Sequence, residues 1–104
     1  GSTAYSMSAR GPIIDPMHQA ILLTPVAPHS LFDRALVLSP DDELKISVLP
    51  DCEASFAVDG NVSGNLKLND SITCSAAAKP AQLVSFGGSN FHQALKEKFG
   101  LSDR

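Results

Sequence analysis

Cysteine, concentrated positive charge and long apolar runs are all scarce in this sequence of 104 residues. Cys52 and Cys74 lie far apart with no C-x-x-C companion, so neither a zinc site nor a disulfide framework is indicated. Both read as small buried apolar residues of a reducing compartment. His18, His29 and His92 are scattered rather than set at metal-ligand spacing, which argues against a structural metal. Eight Lys and Arg stand against eleven Asp and Glu, a net charge of -3 with no basic cluster. Phosphate backbones demand clustered cations, so nucleic acid is excluded as a partner. The longest apolar stretch, Ala20 to Leu23 and on through Val26-Ala27, is broken by Thr24, Pro25 and Pro28, far short of a membrane span. No signal peptide is expected ahead of the first residues.

What is present is an ordinary globular balance, 43% hydrophobic and 18% charged, which argues against disorder over most of the length. The length suits one domain, and a single core is the expectation.

The chain opens on a dense run, Gly1-Ser2-Thr3-Ala4-Tyr5-Ser6-Met7-Ser8-Ala9-Arg10-Gly11-Pro12. Small hydroxyl residues around glycine let backbone N–H groups approach a nucleotide closely, and Tyr5 adds an aromatic face and a phenol. Two plainer readings stand beside that one. Gly-Ser is a common cloning remnant, and Thr3 to Ala9 makes an ordinary short helix capped by Ser2 and closed by Gly11-Pro12.

Asp15-Pro16 signals a turn, and Met17-His18-Gln19 a single helical turn. Ala20-Ile21-Leu22-Leu23-Thr24 has the length and continuous apolarity of a central strand covered on both faces, ended by Pro25. Pro25-Val26-Ala27-Pro28-His29-Ser30 cannot continue a ladder, because two prolines lack the N–H donor, and reads as a rigid loop. Leu36-Val37-Leu38 is a short strand and Ser39-Pro40-Asp41-Asp42 a turn. Glu43 to Leu49 alternates as a half-buried strand, and Cys52 to Val58 repeats the pattern with Ala54, Phe56 and Val58 on one face. Asp59-Gly60-Asn61 supplies a tight turn. Leu66 to Leu68, Ser71 to Ala77 and Ala81 to Phe86 complete the strands, ending at Gly87-Gly88. Ser89 or Asn90 caps a final helix whose apolar stripe is Phe91, Ala94, Leu95, Lys98 and Phe99, with Gly100 at its end and Lys96 and Lys98 near its negative pole. That stripe has to pack on the β part or on a partner. Regular strand spacing with turn chemistry between gives a mainly β fold class: an antiparallel β-sandwich-like domain with a short N-terminal and a C-terminal helix. Residues 1–89 form the β part and 90–104 the terminal helix.

Three segments in order carry a resemblance: the opening run, then Ile21-Leu22-Leu23-Thr24-Pro25-Val26-Ala27-Pro28-His29-Ser30-Leu31, then Val58-Asp59-Gly60-Asn61. Together they resemble the C-terminal domain of the NAD kinase family. Arg34 to Leu38 and the closing Leu95-Lys96-Glu97-Lys98-Phe99-Gly100-Leu101-Ser102 are similar to its bacterial members as well. The resemblance implies a two-domain enzyme, with an N-terminal α/β domain bearing a Gly-Gly-Asp-Gly-Thr motif that is missing from this sequence, so the chain is expected to be a fragment. It implies transfer of the ATP γ-phosphoryl group, or one from polyphosphate, to the 2'-hydroxyl of the adenosine ribose of NAD, with Mg²⁺ accompanying ATP. The implied base is the aspartate of the absent motif, so no catalytic residue and no dedicated metal site is assigned to these 104 residues. A cytoplasmic homodimer or homotetramer is implied too.

By the same resemblance Thr3, Ala4, Tyr5, Ser6, Met7 and Ser8 line the adenosine part of NAD, with Tyr5 near the adenine and Ser8 near its polar edge. Ala27 and His29 fall where a proline-bounded loop reaches a nucleotide, often one bound by the neighbouring subunit, and Asp59, Gly60 and Asn61 match a turn that also reaches the site. General chemistry keeps other readings open: Tyr5 as the cap of a hydrophobic core, His29 as structural, Asp59-Gly60 as first a hairpin signal. The sequence departs from the family's usual pattern at Arg10, where glycine is common, at Asn61, where bacterial members have glutamine, and at Phe32-Asp33 and Ala35 around Arg34. Two alternatives are a C-terminal domain of a lipid kinase of the diacylglycerol or sphingosine type and a non-catalytic β-sandwich used for assembly.

Overall fold

The computed structural model describes residues 1–88 and 90–100. Ser89 as an expected helix cap, the Leu101-Ser102 end of the closing match and the last four residues of the expected 90–104 helix lie outside the described residues.

Eight elements follow one another: α1 (Tyr5–Ser8), β1 (Ile21–Leu23), β2 (Leu36–Leu38), β3 (Leu44–Ser47), β4 (Ala54–Val58), β5 (Asn61–Leu66), β6 (Ser71–Cys74) and α2 (Phe91–Phe99). The mainly β, antiparallel class with a helix near each end is as expected. The strands pair as three two-stranded ladders, β1 with β2, β3 with β6 and β4 with β5. Contacts divide the chain into two compact units, described separately below. One is Pro40–Ala76; the other joins Gly1–Ser39 to the residues from Ala77 onward.

In the first-mentioned unit, β3 and β6 set Leu44 opposite Cys74 and Ile46 opposite Ile72, the cross-strand pairing that alternation dictates. The β4–β5 hairpin closes through Asp59 and Gly60, with Val58 paired to Asn61. Asp59 has φ 50° and Gly60 φ 80°. Two left-handed central residues are what a two-residue hairpin turn matched to strand twist requires, and Asp-Gly supplies them at low cost. Asn61 is therefore the first residue of β5 rather than part of the turn. The register slips by one between Phe56 and Ala57, a bulge. Beyond it the Phe56 ring lies on Gly64, where an added Cβ would stand 3.0 Å from Phe56 Cε1. The expected strand at Leu66 to Leu68 is instead the end of β5 followed by a turn. Asp70 Oδ2 accepts from the Lys67 N–H at 2.8 Å and the Asp70 N–H donates to the Lys67 carbonyl at 2.9 Å.

In the other unit, β1 pairs with β2 in the register Ile21 to Leu38, Leu22 to Val37 and Leu23 to Leu36. The apolar run is thus one half of a two-stranded ladder, half-buried throughout, rather than a central strand covered on both faces. Asp15 shapes the turn after the opening run: its Oδ1 accepts the Met17 N–H at 2.8 Å and its carbonyl the His18 N–H at 2.9 Å, so Met17-His18-Gln19 is a turn and not a helical one. Ala81 to Phe86 joins no ladder, and Leu83, Val84 and Phe86 are 94%, 84% and 101% exposed. Its composition suits a strand, but a strand exists only where a partner edge is available. Asn90 caps α2, its side chain accepting the Gln93 N–H at 2.8 Å, and Gly100 ends it at φ 63°. The α2 stripe of Phe91, Ala94, Leu95, Lys98 and Phe99 borders, with Thr3, a hollow of about 130 Å³.

No described residue is buried, so the expected core does not form among the described residues. The burial expected of the two cysteines is not met either, since Cys52 is exposed and Cys74 half-buried. The accessible surface is 9128 Å², whereas a folded monomer of this mass exposes roughly 5,600 Å². No helix among the described residues is long and apolar enough to cross a membrane.

Candidate functional site

The opening run folds as a tight knot rather than as the capped helix expected from Ser2. Ala4 occupies the cap position of α1 and makes no side-chain cap bond. Its carbonyl takes the N–H groups of Met7 at 3.1 Å and Ser8 at 3.3 Å. Ser2 is used elsewhere: its Oγ accepts the Ile14 N–H at 2.9 Å and lies 3.4 Å from the Ile14 carbonyl, tying the start of the run to the segment after it. With four residues, α1 has too little aligned backbone to present a positive pole to a ligand.

Ser6 and Thr24 lock the run to the end of β1. Their hydroxyl oxygens are 2.9 Å apart in a half-buried setting, where one donates to the other. Gly11 closes against this pair, donating its N–H to the Ser6 carbonyl at 2.7 Å. A Cβ at Gly11 would overlap Ser6 Oγ and stand 2.9 Å from both the Ser6 carbonyl oxygen and Thr24 Oγ1. Glycine here serves close approach, and Gly11 and Thr24 carry a structural role that residue-by-residue reading of the motif did not assign.

Immediately before Gly11 comes Arg10, whose φ of 65° puts a non-glycine residue in the left-handed region. Glycine adopts that conformation without steric cost, which explains why the turn into Gly11 suits glycine and why an arginine here is a departure with consequences. Ala27, at φ 47° between Pro25 and Pro28, is a second left-handed residue.

Arg10 and Ala27 border one open groove of about 380 Å³, lined also by Ser8, Pro25, Pro28 and Asp33. The structure therefore brings together Ser8 and Ala27 of the residues named from sequence, and adds Arg10 and Asp33. Asp33 Oδ1 lies 3.7 Å from Arg34 Nε, an exposed pair of little energetic weight. Ser6 borders a separate groove of about 400 Å³ with Ser2, Ile14, Asp15 and His18. Thr3 faces α2. Tyr5 is 70% exposed, its ring free of any buried cluster, so it does not cap a core. Ala4 and Met7 contribute backbone carbonyls to the turn, and His29 is exposed on the proline loop. Asp59, Gly60 and Asn61 form the exposed tip and first rung of the β4–β5 hairpin, within the other compact unit.

No group of three His, Cys, Asp or Glu side chains converges among the described residues. A divalent metal needs several converging oxygen or nitrogen ligands, and the described residues supply no such set.

The family described as the ATP-NAD kinase C-terminal domain matches residues 1–86. A protein named NAD kinase from Caldicellulosiruptor saccharolyticus is 42% identical over 98 residues, which make up 94% of this chain and 37% of that protein. Another NAD kinase, from Carboxydothermus hydrogenoformans, is 39% identical over all of this chain and 38% of its own length. NAD kinase 1 of Streptomyces avermitilis is 39% identical over 99% of this chain and 29% of its own length. The chain thus spans 29% to 38% of the length of these curated relatives.

Proposed function

The chain belongs to the ATP-NAD kinase C-terminal domain family, and from that premise we propose that it acts as the nucleotide-holding C-terminal part of a longer NAD kinase. The continuous match of residues 1–86 carries this reading, and it favours a dinucleotide kinase over the lipid-kinase and assembly-only alternatives. In the reaction, the bond between the β,γ-bridging oxygen and the γ-phosphorus of ATP breaks, and a new bond forms to the 2'-oxygen of the adenosine ribose of NAD. ADP and NADP result, and the hydroxyl proton passes to a base. That base belongs to the remainder of the protein, as does any ligand set for the Mg²⁺ that accompanies ATP. Phosphoryl transfer depends on positioning and charge stabilisation, so a domain that only holds the acceptor still contributes to rate.

Within this chain, the groove shared by Ser8 and Ala27 receives part of the dinucleotide. Tyr5 offers an exposed ring as an adenine-facing wall. Thr3, Ala4, Ser6 and Met7 set the backbone of that wall, and His29 approaches the nucleotide from an exposed loop position, while Asp59, Gly60 and Asn61, on an exposed turn of the other unit, are assigned to nucleotide binding by the resemblance alone. Residues 1–104 constitute one C-terminal domain whose exposed apolar faces are covered by the rest of the protein and by a second copy in a homodimer or homotetramer, working in the cytoplasm. The absence of any buried residue among those described supports the need for such cover.

The test is direct. Full-length protein carrying these residues, given Mg²⁺, ATP and saturating NAD, forms NADP, whereas residues 1–104 alone form none. Failure of the full-length protein to produce NADP overturns the kinase reading, and turnover by the isolated chain overturns the assignment of the base to the remainder.

A further inference from the structure

We propose that Arg10 binds a phosphate group of the nucleotide in the groove between the opening run and the proline loop, an inference that rests on the nucleotide-binding reading of that groove. Arg10 sits at φ 65°, where an L-residue is disfavoured and glycine is not. A side chain is therefore carried here against a local backbone preference, the pattern found where a strained residue serves a site. That side chain borders the same groove as Ser8 and Ala27. The guanidinium of Arg10 makes no ion pair among the described residues, and the one carboxylate in the groove lining, Asp33, stands 3.7 Å from Arg34. The groove thus carries an uncommitted cation in a chain whose net charge is -3.

A guanidinium presents a planar fork of N–H donors that matches two oxygens of a phosphate, and the Ser8 hydroxyl is a further donor on the same wall. A volume of about 380 Å³ accommodates a nucleotide portion of a larger ligand. The flanking Pro25 and Pro28 hold the opposite wall in place without lending N–H groups of their own, which leaves Arg10 and Ser8 as the anion-recognising side chains of the groove. A phosphate on either the 5' or the 2' oxygen of adenosine shares this chemistry.

The experiment measures binding of adenosine, adenosine 5'-monophosphate and adenosine 2'-monophosphate to the full-length protein by calorimetry, with Arg10→Gln and Arg10→Lys beside the parent. Arg10→Gln keeps a non-glycine residue in the left-handed turn and removes only the charge. It is expected to weaken binding of one of the two monophosphates roughly five- to tenfold while leaving adenosine unchanged, and Arg10→Lys to recover most of the loss. The monophosphate affected identifies which phosphate Arg10 meets. Equal loss for adenosine and both monophosphates, or no loss for any, overturns the proposal while the nucleotide-binding reading stands. A parent protein that binds none of the three overturns that reading, and the role of Arg10 with it.

Discussion

Replacing Gly11 by alanine tests how tightly the opening run is locked to β1. The added Cβ would overlap Ser6 Oγ and approach the Ser6 carbonyl oxygen and Thr24 Oγ1 to 2.9 Å. Only the hydroxyls can swing away, and doing so gives up the 2.9 Å bond between Ser6 and Thr24, a loss of about 1 kcal/mol. The carbonyl cannot swing, so the backbone must move and the 2.7 Å bond from the Gly11 N–H stretches. Overpacking of this kind costs about 1–3 kcal/mol. Against this, alanine restricts the unfolded chain and returns about 0.4–1 kcal/mol, because Gly11 is not among the left-handed residues and its backbone conformation admits a side chain. The net expectation is a destabilisation of about 1–3 kcal/mol, read as a lowered urea midpoint of the full-length protein. In the Gly11→Ala background, Ser6→Ala costs less than it does alone, since the obstructing hydroxyl and its bond are already lost. A Gly11→Ala protein as stable as the parent, or strictly additive losses, refutes the close-approach argument.

Gly60 presents the opposite case: nothing lies within 4 Å of an added Cβ, but its φ is 80°. Gly60→Ala is therefore expected to cost about 1 kcal/mol through backbone conformation alone, with hairpin amide exchange accelerated; unchanged exchange at Val58 and Asn61 counts against the assigned turn. Residues 1–104 alone, with no side chain buried among the described residues, are expected to melt without a sharp heat-absorption peak and to bind a hydrophobic dye. A cooperative calorimetric transition for the isolated chain contradicts the inference that its apolar faces need outside cover.

Local chemistry was the most legible part of the fold. Asp59-Gly60 announced its turn, and Asn90 with Gly100 announced the bounds of α2, because each depends on residues within a few positions. Leu36-Val37-Leu38 matched β2 to the residue. Ala81 to Phe86 had the composition of a strand yet pairs with nothing, since pairing depends on an edge elsewhere. Ser2 had the chemistry of a helix cap but serves Ile14, a competition that residue type alone does not decide. At the site, Ser8 and Ala27 were named from sequence and share a groove; Arg10 was noticed there only as a departure, and the groove makes it a wall residue.

Taken by itself, the sequence determined the family, the antiparallel mainly β class, the turn chemistry and the terminal helix, all of which reside in residue order and short-range preference. Only the tertiary structure decided that β3 takes β6 as its partner, that Gly11 must be bare because Ser6 and Thr24 meet beside it, and that Arg10 and Ala27 border one groove. These depend on which distant residues come within a few ångströms of one another. The chain's surface decided one thing more: with none of the described residues buried, the apolar side chains counted in the composition await cover that composition alone could not reveal.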